Sequence, residues 1–125
     1  MTFLVVVEGD AGGWGIDRDA LTDEIRSRWA DVVIDPAHRS AVRSLIWEVE
    51  SANGSGEAYL HVHEDGTCLY IDLWVEDAIW LATVFRRLTP RDIELVFCDE
   101  GYAFDVRLQA GTAEEDLTDL VNAAG

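Results

Sequence analysis

The sequence predicts an α+β fold, a two-layer sandwich in which two or three helices cover one face of a mostly antiparallel sheet. Three observations predict it. The periodic segments run strand, helix, several strands, helix, strand pair, helix. An Asp-Gly dipeptide sits between two alternating strands, the strongest short-range hairpin signal. The helical segments carry apolar stripes along one side, as helices resting on a sheet do. The 125 residues suit one domain, 1–125, large enough to bury a core without disulfides.

Phe3-Leu4-Val5-Val6-Val7 is a β-branched run without alternation, expected as a central strand covered on both faces. Gly9 to Gly15 form a connection. Asp17 is the N-cap of a helix through Trp29, with Leu21, Ile25 and Trp29 on one side. Val32-Val33-Ile34 reads as a short edge strand, and Asp35-Pro36 as the start of a helical turn. Ser44 to Glu50 alternates, with Leu45, Trp47 and Val49 on one face and Ile46, Glu48 and Glu50 on the other. Ala52 to Gly56 is a loop by composition. Tyr59 to Glu64 and Thr67 to Leu73 then flank Asp65-Gly66, expected to be a two-residue type I′ turn.

A second helix is expected from Glu76 to Leu88, with a stripe of Ala78, Leu81, Phe85 and Leu88. Its acids lie at the start and Arg86 and Arg87 at the end, as the helix dipole favours. Ile93 to Cys98 and Tyr102 to Leu108 are strands joined by a solvated turn at Asp99-Glu100-Gly101. Thr112 and Glu115 make a capping box for a last helix carrying Leu117, Leu120 and Val121.

Charge sets the exclusions. Twenty-five carboxylates face nine arginines and no lysine, a net charge of −16. Such a surface repels phosphate backbones and anionic lipids and attracts basic proteins. Nucleic acid and membrane are therefore excluded as partners. Disorder is excluded too, because 49% of residues are hydrophobic and five are tryptophan. A GC-rich genome accounts for arginine without lysine, and salt adaptation is the other source of that signature. Phe3 to Val7 is too short, and lacks the basic flank, for a secretory leader. Cys68 and Cys98 fit no metal or redox spacing. The expectation is a cytoplasmic protein with reduced thiols.

Motifs of catalysis are missing. Gly9-Asp10-Ala11-Gly12-Gly13-Trp14-Gly15 matches neither nucleotide-binding spacing, and the phosphate-loop version needs a lysine. There is no nucleophile-elbow serine motif. His38 beside Arg39 reads as a surface residue, and Arg86, Arg87 and Arg91 as helix-capping and ion-pairing groups. The reading is non-enzymatic, with no cofactor.

The hairpin supplies the one candidate surface. A turn at Asp65-Gly66 would pair His63 with Cys68, His61 with Tyr70, and Tyr59 with Asp72. Leu60, Val62, Leu69 and Ile71 then face the core. Tyr59, His61, His63, Cys68, Tyr70 and Asp72 share the other face, and Glu48 and Glu50 join them if Trp47 points inward. Two tyrosines and two histidines rimmed by Glu48, Glu50 and Asp72 have the composition of a protein recognition patch. The sharper alternative is a metal site, with His61 and His63 projecting in parallel and Asp72, Cys68 or a neighbouring glutamate completing the set.

In size, acidity and α+β pattern the chain is similar to small bacterial inhibitor and immunity proteins. That resemblance rests on composition alone and implies a basic partner, such as a toxin or nuclease, without implying any site residue. The expectation is an immunity or inhibitor-type binding protein using the open sheet face. A metal-binding enzyme or sensor, and a structural or regulatory domain, are the alternatives.

Overall fold

The computed structural model describes residues 2–35, 42–52, 54–61, 66–101 and 103–124. Among these the chain forms one seven-stranded antiparallel sheet and three helices, an α+β sandwich. The strands are β1 (Phe3–Val7), β2 (Val33–Asp35), β3 (Arg43–Ser51), β4 (Gly54–His61), β5 (Cys68–Asp72), β6 (Leu95–Asp99) and β7 (Asp105–Leu108). The helices are α1 (Arg18–Arg28), α2 (Val75–Arg87) and α3 (Glu114–Ala124). The strand order is β2-β3-β4-β5-β1-β6-β7, so β1 is the seam between a four-stranded meander and the β6–β7 hairpin.

The period of two decides which residues the helices cover. Phe3, Val5, Trp47, Leu60, Leu69, Ile71, Phe97 and Leu108 project from one face of the sheet. They join Leu21 and Ile25 of α1, Leu81 and Phe85 of α2 and Leu117 of α3 in one core. Trp47 is fully buried, and its indole N–H donates to Thr22 Oγ1 on α1 at 2.9 Å, which satisfies its one polar atom. Asp17 caps α1, its Oδ1 accepting from the Asp19 and Ala20 N–H groups.

The first strand is central, but helices cover only one of its faces; Leu4 and Val6, on the other, are half-buried. The segment expected as a loop at Ala52 to Gly56 is mostly strand. β3 and β4 pair as far as Ser51 and Gly54, and Gly54 takes a positive φ of 122° there. Gly56, within β4, pairs with Val49 of β3, and the position is a glycine because a Cβ would strike the Leu73 side chain and lie 2.6 Å from the Asp72 carbonyl.

The α2 helix is buried beyond its expected stripe. Ile79, Ala82 and Val84 are as enclosed as Leu81, because α1 and α3 flank α2 while the sheet lies beneath it. The Thr112–Glu115 box is replaced. Thr112 Oγ1 donates to Gln109 O at 2.6 Å, and Asp116 instead accepts from the Ala113 N–H. The turn after β6 is not fully solvated: Asp99 is buried and its Oδ1 accepts the Ala103 N–H at 2.6 Å. Pro36, His38 and Arg39 lie outside the described residues.

The hairpin register also differs from expectation. Tyr59 opposes Tyr70, not Asp72, and Leu60 opposes Leu69. Relative to a tight Asp65-Gly66 turn, the pairing is shifted by two residues and the faces are preserved. Gly66 explains the shift. Its carbonyl accepts the Ile16 N–H at 3.0 Å, and the neighbouring Thr67 carbonyl accepts the Val7 N–H at 2.9 Å. Gly66 is thus docked on the segment before α1, its φ is +77°, and a Cβ there would lie 2.8 Å from Ile16 N. Val62 to Asp65 lie outside the described residues, and with them the expected role of His63.

Candidate functional site

Two cross-strand rows dominate the face that the helices leave open. One runs Asp35, Ile46, Tyr59, Tyr70, Leu4, Cys98, Asp105, each opposite the next across all seven strands. Beside it runs Val33, Glu48, Glu57, Asp72. The second row sets three carboxylates directly opposite one another on adjacent strands, an arrangement that repulsion disfavours.

The rings of the first row are stacked. Tyr59 and Tyr70 lie 5.2 Å apart between centroids and within 1° of parallel. His61 stacks on Tyr70 at 4.0 Å and 18°. Arg43 covers the other ring, its guanidinium carbon 3.8 Å from the Tyr59 centroid and its Nη1 2.9 Å from Glu57 Oε1. A β-bulge puts it there. Leu45 pairs with Leu60, yet Arg43 pairs with His61, so β3 carries an extra residue and Arg43 turns to the open face. Burial pushes the Tyr59 phenol above its ordinary range, against the opposing pull of Arg43.

The acid row floors a groove of about 480 Å³, lined by Asp31, Val33, Glu48, Glu50, Glu57 and Asp72 among others. Arg43 neutralises Glu57, and Glu50 accepts the Ser55 hydroxyl. Among the described residues Glu48 and Asp72 have no ion-pair partner. The open face therefore sets a stacked aromatic cluster beside unpaired negative charge, a surface that attracts cations and repels anions.

Of the residues expected here, Tyr59, His61, Cys68, Tyr70, Asp72, Glu48 and Glu50 share the open face. His63 lies outside the described residues. Among the described residues no three His, Cys, Asp or Glu side chains converge as metal ligands. Cys68 and Cys98 are buried, and burial, with Asp105 and Asp99 nearby, pushes the Cys98 thiol upward and away from reactivity.

The glycine-rich connection is consumed locally. Asp10 Oδ1 accepts the Gly12 N–H at 2.8 Å, and Trp14 packs edge-on against Phe85 at 6.2 Å. Sequence reasoning missed Arg43, Glu57 and Trp74. The bulge hid the first, the misassigned loop obscured the second, and the third stands alone before a helix with no periodic partner. No family model, curated protein or solved structure gives a significant match to the chain. No helix among the described residues is long and apolar enough to cross a membrane.

Proposed function

We propose that this protein is a non-enzymatic, cytoplasmic binding protein for a basic protein partner, and that inhibition of a basic toxin or nuclease is the most concrete form of that role. The observation that supports this reading is the pairing of the two rows. Stacked Tyr59 and Tyr70 supply rigid area of the kind that anchors interfaces. Glu48 and Asp72, in register beside them on either side of the Arg43-paired Glu57, supply the field that guides a basic surface to it. The proposed interface comprises Tyr59, His61, Tyr70, Asp72, Glu48 and Glu50, with His63 retained from the sequence.

Separate kinetics for the two rows test it. Tyr70→Ala should weaken the complex by about 2 kcal/mol, mainly through faster dissociation. Glu48→Gln should mainly slow association, and the association rate should fall steeply as salt rises. An acidic partner, or one that binds the helical face with both tyrosines untouched, would sink the proposal.

A further inference from the structure

An arginine laid over an aromatic ring, with a carboxylate at hand, occurs twice inside this molecule. The Arg28 guanidinium carbon lies 4.8 Å from the Trp80 ring centroid and 5.3 Å from that of Trp29, and Arg28 Nη2 is 3.2 Å from Asp77 Oδ1. Arg43 makes the same arrangement with Tyr59 and Glu57. A third ring and carboxylate stand ready without a cation. Trp74 is 59% exposed where β5 leads into α2, the most exposed large hydrophobic side chain among the described residues. With Asp72 and Ser55 it lines a cavity of about 330 Å³. Among the described residues no guanidinium covers Trp74, and Asp72 has no ion-pair partner.

The chemistry selects the occupant. The face of an indole ring is negative, and so is Asp72, so an anion is repelled and a cation held. Glu76 in the first turn of α2 offsets the positive helix end that would oppose a cation. A guanidinium is planar and weakly hydrated, so it can stack on the ring and still reach the carboxylate; an ammonium keeps its water. The cavity shares Ser55 and Asp72 with the acidic groove, so one partner segment can engage both.

We propose that the Trp74–Asp72 cavity receives an arginine side chain of the partner protein, completing between chains what Arg28 and Arg43 complete within this one. This rests on the reading of the open face as a basic partner's site, and it names the residue that partner presents.

The probe is a blocked glycine peptide carrying two arginines, compared with its lysine and citrulline counterparts by NMR titration of the full chain. The arginine peptide should shift the Trp74 indole N–H and the Asp72 and Ser55 amides, with the lysine peptide binding about threefold more weakly and the citrulline peptide weaker still. Trp74→Leu and Asp72→Asn should each weaken the arginine peptide about threefold, with the melting temperature unchanged in Trp74→Leu and unchanged or raised in Asp72→Asn, which relieves repulsion in the carboxylate row. Equal shifts from lysine and arginine, or shifts confined to Glu48 and Glu57 with Trp74 unmoved, would overturn the proposal. So would the absence of any shift at Trp74. In each case the Tyr70 and Glu48 kinetics still decide the wider reading independently.

Discussion

Arg86 lies in the last turn of α2, only 3% exposed, and no described carboxylate pairs with it. Carbonyl dipoles take the place of a counter-ion. Its Nη1 donates to Ile93 O at 2.9 Å and Leu108 O at 3.1 Å, and its Nη2 to Pro90 O at 2.6 Å and Thr89 O at 3.4 Å. One planar group thereby ties the end of α2 to the approach to β6 and to the end of β7. Lysine has the charge but only three donors on a single atom, so it cannot span that fork. Arg86→Lys should therefore cost about 2 kcal/mol, and Arg86→Ala more, because buried carbonyls lose their donors. Urea denaturation measures both. A lysine variant as stable as the parent would show that the fork geometry is not what matters.

At the scale of elements, Gly66 shows how a tertiary contact overrides a local preference. Its positive φ and its close approach to Ile16 both exclude a side chain, whereas Gly12, at φ +61°, faces open space. Gly66→Ala should thus destabilise by more than Gly12→Ala, which carries only the conformational cost of about 1 kcal/mol. Equal losses would mean that the segment before α1 does not press on Gly66. The same contact explains what the sequence could and could not reveal. Alternation identified the faces of β3, β4 and β5, and a two-residue shift leaves alternation intact, so Tyr59, His61, Tyr70 and Asp72 kept their side. Register was not legible, since it depends on the docking of Gly66 rather than on the Asp-Gly pair alone. The carboxylate row, which exists only in the true register, was hidden for that reason. Arg43 was hidden by a bulge that breaks the period. The burial of α2 was understated because a periodic stripe reports one neighbour, and α2 has three.

For the whole molecule, the net charge of −16 is distributed over a chain whose ion pairs occupy only part of its carboxylates. Repulsion between the unpaired ones, Glu48 and Asp72 on the open face among them, is screened by salt. The melting temperature should rise between low and moderate ionic strength, and Glu48→Gln should flatten that rise. A melting temperature that falls steadily over the same range would contradict it. Unfolding at low ionic strength would mark the acidity as an adaptation to salt rather than an echo of genome composition.

The seam position of β1 bears on the order of events during folding. Hairpins can close β2 to β5 in sequence, and β6 with β7, through contacts between neighbours along the chain. Joining the two blocks requires Phe3 to meet Ile71 on one side and Asp99 on the other, the most distant pairings in the sheet. Closing such long loops is entropically slow. Until β1 is inserted, β5 and β6 each present an unpaired edge backed by the apolar side chains of Leu69, Ile71, Leu95 and Phe97. Each of those edges is open to a strand of another molecule as well as to its own β1, so a crowded, half-folded population is at risk of pairing with its neighbours instead of with its own first strand.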